Sequence, residues 1–439
     1  MRRSTFIFLW ALAALSSPAA RAADPHEYIE RAVELIEQGQ HELARTYLEP
    51  ALIDYRLNAG ERSRAYYIRG YSYYAQGMYV SAYKDYNRAL EFNAGNPVVL
   101  TAVAQMHLDG QGVEPDPLLG VAFLEQAANA EHAPAMLGLG VAYLRGFGVE
   151  QDIEAARQWL ERAADAGLAD AMLYLGQSYR PPFAEPGDPE AARRWFDKAR
   201  EAGAADALAH LGFLAAAGAE PDPEAARSFF EQGAEAGSAL AQAKLGHMYL
   251  TGDGVEKDTA RALELFRQAA ERQHPSAYMG LAYLYDSGTG VPRDAAQART
   301  WYERAARAGV AEAQLRLAHM AMQQDTPAAQ REAGRWLARA AAQNNVQALN
   351  DYAWLLATSP FDEVRNGQQA LTLALQAVDR DRNPSYLDTL AAAYAETGKF
   401  DRAIAVQREA LAMVKGEAML EKELRLHLEA FEEGRPWRE

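Results

Sequence analysis

Eight segments of this chain lie over one another at nearly constant spacing, and that regularity restricts the fold more than any other feature. They begin at Val99, Ala135, Ala171, Ala207, Ala241, Ala277, Ala313 and Ala348, at intervals of 36, 36, 36, 34, 36, 36 and 35 residues. The fifth position of each is large: Val103, Leu139, Leu175, Leu211, Leu245, Leu281, Leu317 and Tyr352. The sixth is small: Ala104, Gly140, Gly176, Gly212, Gly246, Ala282, Ala318 and Ala353. The ninth is tyrosine in four units, Tyr143, Tyr179, Tyr249 and Tyr285. Positions five and nine are one helical turn apart and share a face, so large residue and tyrosine are expected to point into a core. The small residue between them lets a second helix come close.

Each unit also carries its own punctuation. A G-x-G-V turn follows the first helix at Gly110, Gly146, Gly252 and Gly288, where glycine can adopt positive φ and end the helix. Asp152, Asp258 and Asp294 stand where a helix N-cap belongs. Asp116-Pro117, Asp188-Pro189 and Asp222-Pro223 add proline at the first helical position. The second helix carries an aromatic row, read as Trp159, Trp195, Phe229, Phe266, Trp301 and Trp336, and closes near Gly167, Gly203, Gly237 or Gly309. No strand pattern precedes the glycines, so they are not a nucleotide-phosphate loop, which follows a strand. The expected fold is all-α, a right-handed α-solenoid superhelix of helix–turn–helix repeats.

The pattern A-x-x-x-L-G-x-x-Y…G-x-G-V-x-x-D…W-Y/F-x-x-A-A-x-x-G resembles the Sel-1-like repeat family over residues 99–347. Three units depart from it. "RPPFAEPGD" replaces the glycine turn after Tyr179, "AAAGAEPD" shortens the turn after Leu214, and the unit at Ala313 lacks the turn glycines. Residues 26–98 and 348–415 resemble the related tetratricopeptide repeat, through Gly70, Tyr73, Ala82, Tyr86 and Ala89 in front and Leu390, Ala391, Tyr394, Ala403 and Ala410 behind. Residues 416–439 are expected to be a capping helix and tail, with Leu420, Leu424 and Leu428 on one face. No low-complexity linker interrupts the chain, so a single continuous superhelix is expected.

Residues 1–22 read as a cleavable signal peptide: Arg2 and Arg3, an apolar run from Phe6 to Leu15, and Ala20-Arg21-Ala22 as cleavage site. A run of that length is about half a membrane span, and no other segment is apolar enough, so the mature chain is expected to have no transmembrane span. Localisation is expected to be periplasmic or otherwise exported, with the cut after Ala22. The chain has no cysteine, hence no disulfide and no cysteine-borne lipid. The formal charge of −16 makes nucleic acid an unexpected partner, since it selects basic patches.

Chemistry is hard to find. The nine histidines form neither H-x-H nor H-E-x-x-H, so no metal is expected. Ser81-Ala82-Tyr83-Lys84 matches S-x-x-K, but without S-D-N or K-T-G. No cofactor and no catalytic residue is expected. The resemblance implies a non-catalytic scaffold or adaptor for protein or peptide partners, of the kind found in bacterial envelope assemblies, polysaccharide-secretion machinery among them. A carbohydrate or peptidoglycan binder is the alternative. Binding is expected on position seven of the first helices, about 200° round from position five: Gln105, Val141, Gln177, Phe213, His247, Tyr283, His319 and Trp354. A second candidate is an exposed aromatic patch within the tyrosine cluster at 66–86, containing Tyr67, Tyr74 and Tyr79.

Overall fold

The computed structural model describes residues 24–217, 221–414 and 416–439. The expected signal peptide and its cleavage site lie outside the described residues. Among the described residues there are twenty-three helices and no strand. The chain divides into two units, Met1–Pro221 and Asp222–Glu439, each treated by itself below.

The first unit runs through α1 (Pro25–Glu37), α2 (His41–Ile53), α3 (Ala59–Ala75), α4 (Tyr79–Phe92), α5 (Pro97–Asp109), α6 (Pro117–Asn129), α7 (Ala133–Arg145), α8 (Ile153–Asp165), α9 (Ala169–Ser178), α10 (Pro189–Glu201) and α11 (Asp206–Ala217). The second runs through α12 (Pro223–Glu235), α13 (Ala239–Thr251), α14 (Thr259–Glu271), α15 (Pro275–Ser287), α16 (Ala295–Arg307), α17 (Ala311–Met322), α18 (Pro327–Ala342), α19 (Val346–Thr358), α20 (Gly367–Arg380), α21 (Pro384–Glu396), α22 (Phe400–Met413) and α23 (Ala418–Glu432). Within each unit successive helices pair as hairpins, and each hairpin packs on the next.

The helix ends follow the sequence signals. Gly110, Gly146, Gly252 and Gly288 adopt φ between 66° and 83° and cap α5, α7, α13 and α15. The carboxylates of Asp116, Asp152, Asp188, Asp222, Asp258 and Asp294 accept amide hydrogen bonds from the first turns of the second helices. Each such cap is worth about 1 kcal/mol. One further bond closes the hairpin. The amides of Asp116, Asp152, Asp188, Asp258 and Asp294 donate to the carbonyls of His107, Tyr143, Tyr179, Tyr249 and Tyr285, at 2.8–3.0 Å. These acceptors all stand at position nine, and the bond survives at Asp188 although "RPPFAEPGD" replaces the glycine turn there.

The core obeys positions five and six. All the fifth-position residues are buried except Tyr352, and all eight sixth-position residues are buried. The tyrosines of position nine do not enter the core as expected. Tyr143, Tyr179, Tyr249 and Tyr285 are half-buried, because a phenol keeps its hydroxyl near polar groups: the Tyr143 hydroxyl donates to Glu125 at 3.5 Å. The aromatic row of the second helices also needs correction. The buried row lies one residue later in five units, at Leu160, Phe196, Phe230, Tyr302 and Leu337, while Phe266 is buried as read. The tryptophans are half-buried on the flank, each under a cation one turn later: Arg162 over Trp159, Lys198 over Trp195, Arg304 over Trp301 and Arg339 over Trp336, at 4.0–4.9 Å.

Past the end of the second helix the backbone turns left-handed in seven successive repeats. Glycine occupies four of these positions, Gly167, Gly203, Gly237 and Gly309, but Glu131, Gln273 and Asn344 hold the others at φ of 60–62°. A side chain there costs about 1 kcal/mol, least for asparagine. Gln273→Gly is therefore expected to stabilise the second unit by about 0.5 kcal/mol once the extra freedom of the unfolded glycine is subtracted. A thermal midpoint that falls would contradict this.

Candidate functional site

In the second unit a groove of about 600 Å³ is built by the first helices of three successive hairpins. α17 gives His319 and Met322; α19 gives Gln347, Asn350, Asp351 and Trp354; α21 gives Ser385, Asp388 and Thr389; and α23 closes the far side with His427. Two residues of the position-seven row, His319 and Trp354, therefore share one site. His319 Nε2 lies 3.0 Å from the carboxylate of Asp351, on the helix that carries Trp354. Asn350 carries a buried amide oxygen without a hydrogen-bond partner among the described residues.

The floor of the groove is a buried polar cluster. Asp388 accepts hydrogen bonds from Gln407 Nε2 at 2.6 Å and His427 Nδ1 at 2.8 Å, and Gln407 Nε2 also donates to the Leu424 carbonyl at 3.0 Å. All three residues are buried, and they tie α21, α22 and α23 together. This fixes the face that α23 turns inward. The expected face was Leu420, Leu424 and Leu428, whereas Leu424, His427 and Phe431 are buried and the other two leucines only half so.

The chain's own last residues form one side of the groove. Past Gly434 the chain turns back, and Trp437 lies with its ring 4.4 Å from His427, which in turn is 5.6 Å from Trp354. Trp354 Nε1 donates to the Glu439 carboxylate at 2.6 Å, and the Glu439 amide donates to the Thr358 carbonyl at 2.9 Å. Arg438 pairs with Glu396 at 2.6 Å and donates to the Ala357 carbonyl at 3.3 Å. Reasoning from sequence missed Asp388, His427 and Trp437. The available signal was "GRPWRE", a tryptophan directly after a helix-ending glycine and a proline, where a solvated tail has little use for one.

The remaining row residues do not converge. Tyr283 is half-exposed, and His247 is exposed on α13. In the first unit Gln105 is exposed and donates to Asp109 on its own helix. Val141 is half-buried. Gln177 and Phe213 do meet, across His210. Gln177 Nε2 lies 3.3 Å from His210 Nε2, and the Phe213 ring centre is 6.3 Å from the His210 ring. His210 is stacked on Phe196 at 4.9 Å, and burial, with the Arg180 cation adding to it, pushes its pKa down to about 4. An unfolded histidine titrates near 6.5. Between those values the unfolded chain holds a proton that the fold excludes, so stability is full above about pH 6.5 and falls as the pH drops towards 4. The loss is on the order of 3 kcal/mol. His210→Gln is expected to flatten the melting curve's dependence on pH in this window. An unchanged slope would mean that His210 is free to take up a proton in the fold.

The tyrosine cluster is not the exposed patch expected. Tyr67, Tyr74 and Tyr79 are each half-buried: Tyr67 stacks on Tyr86 at 5.6 Å, and Tyr74 meets Tyr79 edge-on at 5.3 Å. Rings this close bury each other in preference to facing water. Tyr67 still reaches the surface, in a mainly apolar groove of about 420 Å³ where α1, α3 and α5 present Val33, Ile36, Ile68, Tyr71 and Val98. Again the walls are first helices of successive hairpins.

Among the described residues no group of three histidine, cysteine, aspartate or glutamate side chains could hold a metal. No helix among them is long and apolar enough to cross a membrane.

Stacked helical hairpins with buried, near-invariant seams and grooves along their first helices define an α-solenoid, a class typical of protein-interaction scaffolds. The Sel1 repeat model matches residues 98–132, 133–168, 169–203, 205–238, 239–274, 275–310 and 311–345, more than half of the chain, and the protein belongs to the Sel1 repeat family. No curated protein matches it. Among solved structures it is similar to a protective antigen of uropathogenic Escherichia coli displaying an SLR fold. That match has 24% identity, covers 96% of this chain and 90% of that one, and has a TM-score of 0.49. A Sel1 repeat protein from Oxalobacter formigenes is 29% identical over 54% of this chain and 98% of its own, with a TM-score of 0.43. Yeast Tom70 matches at 15% identity over 93% and 95% of the two chains, with a TM-score of 0.36.

Proposed function

We propose that this protein is an exported, non-catalytic scaffold that holds extended segments of partner proteins in the grooves along its first helices, within an envelope assembly such as a polysaccharide-secretion complex. One observation carries the reading. First helices from three successive repeats converge on the His319–Trp354 groove with polar and aromatic side chains that differ from repeat to repeat, while the seam behind them hardly varies. Variation on an open wall over a constant core suits recognition, and aromatic anchors supply large rigid contact area. Export rests on the tripartite segment at 1–22.

The test uses the tagged full chain expressed in its own cell and recovered from envelope fractions. The recovered protein is expected to start at Ala23 and to bring down a defined partner. His319→Ala combined with Trp354→Ala is expected to reduce that recovery at least tenfold, while circular dichroism is unchanged. Full recovery by the folded double variant would place the binding surface elsewhere, and a cytosolic full-length chain would remove the export half of the proposal.

A further inference from the structure

The structure assigns the edge of the His319–Trp354 groove a ligand of definite chemistry: an extended peptide in which an aromatic residue is followed by an arginine and then an acidic residue, the order in which this chain's own Trp437, Arg438 and Glu439 dock there. This deepens the scaffold reading and rests on it. The segment after Gly434 is bound as a peptide would be, with a separate receptor for each of its parts. The Trp437 ring closes on the His427 ring. The Arg438 guanidinium meets Glu396, which Arg365 holds from its other side at 3.2 Å. The Glu439 carboxylate accepts from the Trp354 indole, and the Glu439 backbone donates to a helix carbonyl.

Each receptor needs the complementary group. With the segment in place the Glu396 side chain is only 13% exposed and pairs with two cations, and losing the segment removes one of them. A partly buried carboxylate that loses one of two ion pairs is held at a cost, and an incoming arginine restores the second pair. The Trp354 N–H and the carbonyls of Ala357 and Thr358 likewise ask for an acceptor and for donors. The buried, unpartnered Asn350 oxygen on the same wall can take one more donor, and an extended peptide offers a backbone N–H. With Trp437 and Glu439 in its lining the groove still leaves about 600 Å³ open, reaching His319 and Met322 of α17, so a longer peptide has room to extend past the self-segment. The 435–439 segment then acts as a tethered competitor. Joined to α23 by a single turn, it has an effective concentration in the millimolar range, so a partner must bind better than the chain's own residues to enter.

The probe is a fluorescein-labelled GRPWRE peptide, read by anisotropy against two full-length chains, wild type and a variant with Trp437→Ala, Arg438→Ala and Glu439→Ala. The peptide is expected to bind the variant at least tenfold more tightly than the wild type. Replacing its tryptophan by alanine, or adding Trp354→Ala to the protein, is expected to weaken binding at least tenfold. Arg438→Glu alone, which sets two carboxylates against each other, serves as a second released chain if the triple variant unfolds. A folded released chain that binds no peptide would reduce the segment to a structural tie and overturn the inference. So would binding that is equal in both chains and indifferent to Trp354→Ala. Concentration-dependent association of the wild type that the triple substitution abolishes would give the groove to a second copy and overturn it as well. Any of these results leaves the scaffold reading standing as long as recovery of the partner from envelope still depends on His319 and Trp354. Loss of that dependence alone removes the scaffold reading.

Discussion

Asp388→Ala is expected to release α23 and to cost about 3 kcal/mol. The carboxylate is the common acceptor for Gln407 and His427, and all three are buried. Removing one member of such a cluster leaves the others short of a partner. Each orphaned donor costs about 1–3 kcal/mol, and clusters cost more than their pairs suggest. Gln407 keeps one bond, to the Leu424 carbonyl, so the larger share falls on His427. In a linear array damage stays near its origin, so the expected signature is local: amide-exchange protection drops across 418–432, while α13–α16 keep theirs. Asp388→Asn retains one acceptor oxygen and is expected to lose about half as much. Loss of protection spread evenly through both units would mean that the cluster does not hold α23 in particular.

What the sequence made legible follows from the difference between repeated and solitary features. Leu139, Gly140, Asp152 and Gly167 recur, so their roles as core, close approach, cap and terminator can be read by comparing the chain with itself. The matched repeats at 98–345 bear out the family on that ground. Recurrence also misled where two aromatic residues are adjacent. Trp195 drew attention, yet Phe196 is the one inside, because a helix turns 100° per residue and only one of two neighbours can face the core. The Trp-x-x-Arg/Lys spacing was a readable sign that the tryptophans lie on the flank. The candidate site was half legible. His319 and Trp354 come from the row and line one groove. Asp388, His427 and Trp437 occur once each, at the end of the array, and converge from α21, α23 and the segment beyond. No periodicity marks contacts of that kind. The tyrosines failed for a related reason: composition marked Tyr67, Tyr74 and Tyr79 as surplus to the core, but Tyr67 packed on the core ring of Tyr86 and Tyr74 on Tyr79.

Gly176→Leu is expected to cost about 3 kcal/mol, at the upper end for overpacking a filled core. Even the first carbon of a side chain at Gly176 would lie 2.3 Å from Phe196 Cε1, with Cδ1 and Cζ at 2.5 and 2.8 Å. Those atoms belong to a ring that is wholly buried and stacked on His210, so it cannot swing aside without parting α9 from α10 or disturbing α11. Gly176→Ala is the milder variant, because alanine regains about 1 kcal/mol of helix propensity over glycine. The repeats themselves supply the rescue. α17 and α18 place Ala318 and Leu337, both fully buried, where α9 and α10 place Gly176 and Phe196. Gly176→Ala with Phe196→Leu should therefore recover much of what Gly176→Ala loses, although Phe196→Leu alone leaves a void and also destabilises. The two changes are in contact and must couple, by an interaction energy of at least about 0.5 kcal/mol. Thermal melts of the four chains in the cycle measure it. Simple additivity would show that Gly176 and Phe196 do not share the close approach that sets the spacing of this hairpin.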